Sequence, residues 1–401
     1  MAVQVNQEAY IIIGDSFTFP DGNAATNRVY TYAKGFEEHG CNSYVICLRN
    51  DFNDINKGEA NGIVYFYPYN RSTRSKSFLN RRWYNLRKYI NTFYILTNIK
   101  KEENIRVILV YSVRFSTHVF SWLLSKIFNT LLILERSEHP LKDAQTLFSL
   151  TRKKIKAFSE SKLVDGILCI SEYLKGFYTS LGVPARKILL VPSTVDADRF
   201  VKSEKSPYDF SYICYCGSLT LTKDGVHILI QSFNTLAQKY SDVKLVLIGK
   251  ADTKKDEVFF REMVKSLGIE SRVIFTGMLS RKLVPLYLTN AHILALARPK
   301  SIVADAGFPS KLTEYLATGN PIVVTRTGEI EYYLTDNFNT FIAEPDSVED
   351  FADKLDFVLS HYDVALAVGK KGQALATTVF NYNYQSKRLL SFIDEMQRRE
   401  T

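Results

Sequence analysis

Residues 291–325, AHILALARPKSIVADAGFPSKLTEYLATGNPIVVT, decide how this chain reads. Residues 293–297 form an apolar run of strand length. Residues 298–309 read as a loop punctuated by Pro299, Gly307 and Pro309. Ser310 is placed to cap a helix running to residue 318, with Gly319 where that helix stops. Pro321 then opens a second strand, 322–325. Such a βαβ unit sets a loop and a helix N-terminus at the carboxyl edge of a parallel sheet, where open α/β sheets bind ligands. A helix N-terminus offers free N–H groups and partial positive charge to an anion, and Lys311 adds a full charge. Glu314, one turn in, is awkward beside a phosphate unless it accepts hydrogen bonds from the two hydroxyls of a ribose.

Outward from this unit the same alternation recurs. Strand-like runs fall at 9–13, 43–48, 63–67, 106–111, 130–134, 166–170, 212–216, 243–248 and 273–276. Helical spacing falls at 24–39, from about 77, at 117–128, 146–163, 226–240, 347–359, 365–377 and 383–399. Regular strand–helix alternation means parallel sheets, and 401 residues suffice for two full cores. Gly22, in the loop after the first strand, is a residue that permits close backbone approach.

A net charge of +9 favours an anionic partner. Five cysteines without a CxxC pair fit reduced thiols. No Asp-x-Asp, His/Cys cluster or other metal spacing stands out. Residues 1–8 are polar and the apolar run after them is too short for a secretory leader; no 18-residue apolar window predicts a span.

Two stretches stand apart. Residues 61–101 hold no Asp or Glu, but carry Arg71, Arg74, Lys76, Arg81, Arg82, Arg87, Lys88, Lys100 and Lys101 among Phe78, Trp83, Tyr84, Tyr89, Phe93 and Tyr94. A helix with Arg81, Arg82, Arg87 and Lys88 beside such aromatics has the composition of a face for an anionic membrane surface. After the strand at 130–134 comes Glu135-Arg136-Ser137-Glu138-His139-Pro140. A polar tract just past a strand end is expected to face a ligand.

The segment Glu314-Tyr-Leu-Ala-Thr-Gly319-Asn-Pro321-Ile-Val resembles the second half of the nucleotide-sugar signature of retaining GT-B glycosyltransferases of family 4, and Gly307-Phe308-Pro309-Ser310-Lys311-Leu312 resembles a subgroup of bacterial surface-polysaccharide transferases. The first Glu of that signature is absent: Ala306 stands there. Gly217-Ser218-Leu219…Lys223 resembles the family's Gly-Arg-Leu…Lys-Gly loop with Ser218 in place of Arg, and Val191–Phe200 resembles its interdomain linker. The resemblance implies an α/β fold of GT-B type, two Rossmann-like domains facing across a cleft: residues 1–203 on the acceptor side, 204–380 binding the nucleotide sugar, and a helix at 381–401 crossing back to the first domain.

It also implies transfer of a sugar, with retention, from a nucleotide diphosphate sugar to a glycan or lipid-linked acceptor in capsule, O-antigen or exopolysaccharide synthesis. Donor binding falls to Gly22, Gly217, Ser218, Lys223, Gly249, Arg298, Gly307, Phe308, Pro309, Ser310, Lys311, Leu312 and Glu314. Catalytic roles fall to Lys223, Glu135 and Arg136. Lys223 matches the family's diphosphate cation; Arg298, Lys300 or Lys311 is left to supply the charge missing at Ser218. No metal and no cofactor is expected, and no nucleic acid. The location expected is cytoplasmic, with a peripheral seat on the inner face of the cytoplasmic membrane. Two other readings stay open: a GT-B nucleotide-sugar epimerase, and a catalytically degenerate partner of another transferase.

Overall fold

The computed structural model describes residues 7–52, 54–140, 146–201 and 205–399. The chain divides into two compact units. One comprises residues 1–192 and 382–401, the other residues 193–381. The boundary expected between residues 203 and 204 lies outside the described residues.

Among the described residues, the first unit holds eight strands: β1 (Glu8–Gly14), β2 (Asn42–Cys47), β3 (Lys57–Ala60), β4 (Ile63–Phe66), β5 (Asn104–Tyr111), β6 (Leu131–Arg136), β7 (Gly166–Cys169) and β8 (Ile188–Leu190). Their order is β3-β4-β2-β1-β5-β6-β7-β8. All pair in parallel except the edge strand β3, which is antiparallel to β4. Helices cover both faces of a parallel sheet, so its strands are continuous apolar runs; Tyr10, Ile11, Ile12 and Ile13 of β1 are all buried.

The helix Tyr382–Arg398 completes this unit. Leu389, Phe392, Ile393 and Met396 enter the core that β1, β2 and the helix Ala24–Glu38 share. Gly35 lies so close to it that a Cβ there would come within 1.9 Å of Ser386 Oγ. Arg106 Nη2 donates to Asp394 Oδ1 at 2.7 Å, and Asn383 Nδ2 to Glu38 Oε2 at 2.6 Å.

The second unit holds β9 (Tyr212–Cys216), β10 (Lys244–Ile248), β11 (Val273–Gly277), β12 (Ile293–Leu296), β13 (Ile322–Thr325) and β14 (Phe341–Ala343). All are parallel, in the order β11-β10-β9-β12-β13-β14. Strand order reverses between β9 and β12, the switch point at which open α/β sheets bind ligands.

Several sequence expectations need correction. The stretch 298–309 is not all loop: a short helix, Ile302–Ala306, is capped by the Ser301 side chain on the Ala304 N–H. The helix Ser310–Thr318 ends where expected but starts one residue earlier: Ser310 is its first residue and not its cap, and Pro309 occupies the N-cap and offers no side-chain acceptor. Gly319 ends it at φ 73°, in the left-handed region. The helix expected over 226–240 stops at Leu236. Helices Glu172–Ser180 and Lys254–Ser266 and strands β3, β8 and β14 are additions.

Candidate nucleotide-sugar site

The loops that leave β9 and β12 meet at the switch point. The contact is backbone to backbone: Gly225 has φ 64°, and a Cβ on it would lie 1.8 Å from the Ala297 carbonyl oxygen. The loops after β9 and β10 are equally close. Gly249, at φ 126°, would place a Cβ 2.0 Å from the Gly217 carbonyl oxygen. The Leu219 N–H reaches the Lys250 carbonyl at 3.0 Å, and the Gly249 N–H the Gly277 carbonyl at 2.9 Å. Glycines at 217, 225 and 249 are thus what allow three loops to converge on one edge.

A charged cluster fills the convergence. Asp224 is 3% exposed. Its carboxylate accepts a charged hydrogen bond from Lys311 Nζ, and its Oδ1 lies 3.7 Å from Arg298 Nε. The hydroxyl of Tyr215, from β9, donates to Asp224 Oδ2 at 2.9 Å and accepts from Lys311 Nζ at 3.2 Å. Arg298 is 4% exposed and its Nε makes no hydrogen bond; Nη2 reaches the Val303 carbonyl only at 3.4 Å. Burial alone would raise the Asp224 carboxyl, but Lys311 and Arg298 outweigh it and hold it at about 2. Burial lowers the Arg298 guanidinium from its ordinary value against the pull of Asp224. One carboxylate therefore holds two cations at the sheet edge, leaving a net positive charge where an anion would dock.

The expected donor residues sort by this geometry. Gly217 lines the cluster directly, since a Cβ there would be 2.4 Å from Lys311 Nζ. Ser218 and Lys223 are exposed on the same loop. Glu314 follows Lys311 by one turn, half-buried, with Oε1 3.7 Å from Arg199 Nη1. Burial pushes its carboxyl up, against the opposing pull of Arg199, Arg281 and Lys311. Phe308 and Leu312 turn their side chains inward: the Phe308 ring packs on Phe380 (5.1 Å) and Tyr333 (5.3 Å), and Leu312 is fully buried. Only their backbones are available to a ligand, and Pro309 is buried as well. Gly307 sits half-buried at the end of the short helix, in extended backbone.

Sequence reasoning missed Asp224, Tyr215 and Arg199. Asp224 was visible only as the odd residue between Lys223 and Gly225.

In the first unit, Glu135 and Arg136 do not form a ligand-facing tract. Strand β6 runs on through both. Glu135, 2% exposed, accepts from Arg28 Nε at 2.7 Å and from the Tyr32 hydroxyl at 3.0 Å. Arg136 donates to the Tyr178 hydroxyl at 2.9 Å and the Ser112 carbonyl at 3.0 Å, and pairs with Glu160. Both are held by partners inside the domain. Arg28 also holds the Val191 and Pro192 carbonyls, at 2.7 and 2.8 Å. Gly22 is exposed, and a Cβ on it would meet Thr26 and Thr18 hydroxyls at 2.3 and 2.4 Å.

The basic helix Phe78–Glu102 also needs one correction. Lys88 is 2% exposed; its ammonium donates to the Leu48 carbonyl at 2.7 Å and to Asn50 Oδ1 at 2.8 Å. Burial, with Arg114 nearby, lowers it to about 8. It is not part of a surface charge array. Phe78, Leu79, Trp83, Leu86, Ile90 and Tyr94 of this helix are exposed. Among the described residues no helix is long and apolar enough to cross a membrane.

Residues 196–375, which carry the whole switch-point cluster, match the family model described as glycosyl transferases group 1. Among curated relatives, the chain is 21% identical over 239 residues to a GDP-mannose-dependent alpha-(1-6)-phosphatidylinositol monomannoside mannosyltransferase of Mycobacterium tuberculosis, covering 57% of this chain and 61% of that one. It is 22% identical over 237 residues to the lipopolysaccharide 1,2-N-acetylglucosaminetransferase of Salmonella typhimurium, covering 55% and 60%. The chain thus spans about 60% of the length of these relatives. Likeness in fold extends further. Sucrose-phosphate synthase from Thermosynechococcus elongatus superposes with a TM-score of 0.75 at 13% identity, over 98% of this chain and 100% of that one. Anabaena HepE, solved in complex with UDP-glucose, gives 0.67 at 15% over 95% and 99%. The fold class is the expected α/β GT-B type, with two parallel-sheet domains.

Proposed function

We propose that this protein is a glycosyltransferase that moves a sugar from a nucleotide diphosphate sugar to a glycan or lipid-linked acceptor, with retention at the anomeric carbon, in bacterial surface-polysaccharide synthesis. The observation that carries this reading is the Asp224-held pair of cations, Lys311 and Arg298, beside the Gly217 and Gly249 backbones at the switch point. In this scheme the bond from the anomeric carbon to the donor's β-phosphate breaks and the phosphate leaves with the electron pair. Lys311 and Arg298, with Lys223 on the facing loop, stabilise the charge that grows there. Groups fixed in advance by Asp224 and Tyr215 need no reorganisation as that charge develops. Lys311 thereby fills the role of the Arg that Ser218 replaces, and the cations do the work a metal would otherwise do. Glu314 accepts from the ribose hydroxyls.

The exposed apolar side chains of the helix Phe78–Glu102, together with Arg81, Arg82 and Arg87, supply a peripheral seat on an anionic bilayer. The relatives that act on phosphatidylinositol mannosides and on lipopolysaccharide, by their names, suit such a seat.

A thermal-shift screen over nucleotide sugars tests the reading. A donor at 100 times its dissociation constant adds about 2.7 kcal/mol of stability. Release of nucleoside diphosphate with a matched donor and acceptor, retained in EDTA and lost in Lys311→Ala, is the expected result. Binding without turnover for every donor and acceptor tried would favour a degenerate partner.

A further inference from the structure

Along the sheet edge that carries the switch point, the second unit sets out its polar groups in an order. Toward β11, Glu314 faces Arg199, whose guanidinium donates at 2.9 Å to the Arg281 carbonyl in the loop after β11. At the centre, where β9 and β12 meet, Asp224 holds Lys311 and Arg298. One strand further on, the chain leaves β13 as Thr325-Arg326-Thr327-Gly328-Glu329-Ile330-Glu331. The first two stations match a nucleoside and its diphosphate. A group carried on the terminal phosphate then lies on the side of the cations away from Glu314, which is the side of the β13 loop. Neighbouring strands stand about 4.8 Å apart, close to the breadth of one hexose ring.

That loop is fastened to the centre. The Thr325 hydroxyl donates to the Arg298 carbonyl at 2.6 Å. Gly328, at φ 54°, is pressed onto the short helix Ile302–Ala306, where a Cβ would lie 2.3 Å from the Ala304 carbonyl oxygen. The polar side chains of the loop divide into two sets. Arg326 pairs with Glu331 and Glu344 near the surface. Glu329 and Thr327 are instead buried, at 5% and 6% exposure. The Thr327 hydroxyl is shut off from solvent and has no hydrogen-bond partner among the described residues. Taking a carboxylate out of water costs stability, and so does an unsatisfied buried hydroxyl; a plain surface turn has no need of either. Both groups suit a sugar, because a carboxylate accepts from two adjacent hydroxyls at once and a threonine hydroxyl can donate or accept.

We propose that Glu329, with Thr327 two residues before it, reads the donor's sugar. Its carboxylate accepts from two adjacent free hydroxyls of a neutral hexose, and its charge turns away a sugar that carries a carboxylate of its own. This assignment rests on the transferase reading above and deepens it, naming the class of sugar and the residues that select it. It also gives two carboxylates separate roles. Glu314 serves the ribose and acts on donor and free nucleoside diphosphate alike, whereas Glu329 acts on the donor alone.

The test compares, by titration calorimetry on the full chain, the affinity of each donor with that of its own nucleoside diphosphate. UDP-glucose, UDP-galactose, UDP-N-acetylglucosamine, GDP-mannose and UDP-glucuronate are the donors, UDP and GDP the references. Wild type is expected to bind one of the four neutral donors about tenfold or more tighter than UDP-glucuronate. Glu329→Ala should weaken that donor about tenfold and leave the diphosphate unchanged. Glu329→Gln, which keeps the shape and one acceptor but not the charge, should narrow the gap to UDP-glucuronate. Thr327→Val, close to threonine in volume, should weaken the donor about threefold, again with the diphosphate unchanged. Diphosphate binding also shows that each variant is folded; should Glu329→Ala fail to fold, Glu329→Gln and Thr327→Val carry the same comparison. An unchanged ratio of donor to diphosphate affinity across the folded variants overturns the assignment and leaves the transferase reading standing. So does a wild type that prefers UDP-glucuronate, or that binds a diphosphate but none of the neutral donors. Failure of wild type to bind either diphosphate overturns the transferase reading itself, and the assignment with it.

Discussion

Gly217 and Lys311 fit one another: a single Cβ at position 217 would stand 2.4 Å from the Lys311 ammonium and 2.7 Å from the Tyr215 hydroxyl. The glycine is there to leave room for a charge. Gly217→Ala should therefore displace Lys311 and weaken nucleoside diphosphate binding about tenfold with little loss of fold. Calorimetry with UDP, GDP and ADP on wild type and variant checks this; unchanged affinity for whichever binds would detach Lys311 from the diphosphate.

Asp224 gives a prediction in pH. Its carboxyl is held at about 2 in the folded protein, against an ordinary value of 3.8. A depressed carboxyl contributes stability that is whole above its unfolded value and lost as pH falls through its folded one. Each tenfold change in proton affinity corresponds to about 1.4 kcal/mol, so the contribution is about 2 kcal/mol. Asp224→Asn should lose about that much at pH 6, and the gap to wild type should close between pH 4 and 2. A gap that stays constant over that window, in denaturant titrations, would show that the ion pairing is not what Asp224 contributes.

Glu135 should behave as structure and not as chemistry. Removing one partner of a buried ion pair costs about 3–5 kcal/mol, so Glu135→Gln should lower stability by that order through Arg28 and Tyr32. Nucleotide affinity of the folded fraction should not change. If the melting temperature holds while turnover falls a hundredfold, the catalytic role belongs to Glu135 after all.

Glu314→Ala should weaken donor and free nucleoside diphosphate alike, by about 1.5–3 kcal/mol for hydrogen bonds to a charged acceptor. Because Arg199 also faces Glu314, Arg199→Ala is the control: it should alter stability more than nucleotide affinity.

Membrane attachment should follow Arg81, Arg82 and Arg87 and not Lys88. Co-sedimentation with anionic liposomes at low salt should fall on replacing those three arginines by Gln, each worth about 1 kcal/mol near an anionic leaflet. Lys88→Gln should leave attachment intact and cost stability, since its ammonium satisfies the Leu48 carbonyl and Asn50.

Which parts were legible in the sequence follows from how local their causes are. Parallel strands declare themselves as apolar runs because both faces are covered. The end of the helix Ser310–Thr318 was placed to the residue because Gly319 supplies its own left-handed stop. The short helix Ile302–Ala306 was not, since five residues carry no usable period. Asp224 escaped notice because its partner Lys311 lies 87 residues away; a lone carboxylate in a polar loop has no pattern. Glu135 and Arg136 misled for the same reason reversed. Polar residues after a strand read as exposed until distant helices bring Arg28 and Glu160 to them.

The first unit is assembled from a beginning and a late segment of the chain, with Leu389, Phe392, Ile393 and Met396 closing its core. On the ribosome, then, the order of synthesis and the order of completion differ. The second unit, one uninterrupted stretch, is free to fold as it emerges, while the first waits with part of its apolar core uncovered. A stop codon at Tyr382 would spare every residue of the second unit, the switch-point cluster included, and still leave the other domain unfinished, a substrate for chaperones and proteases.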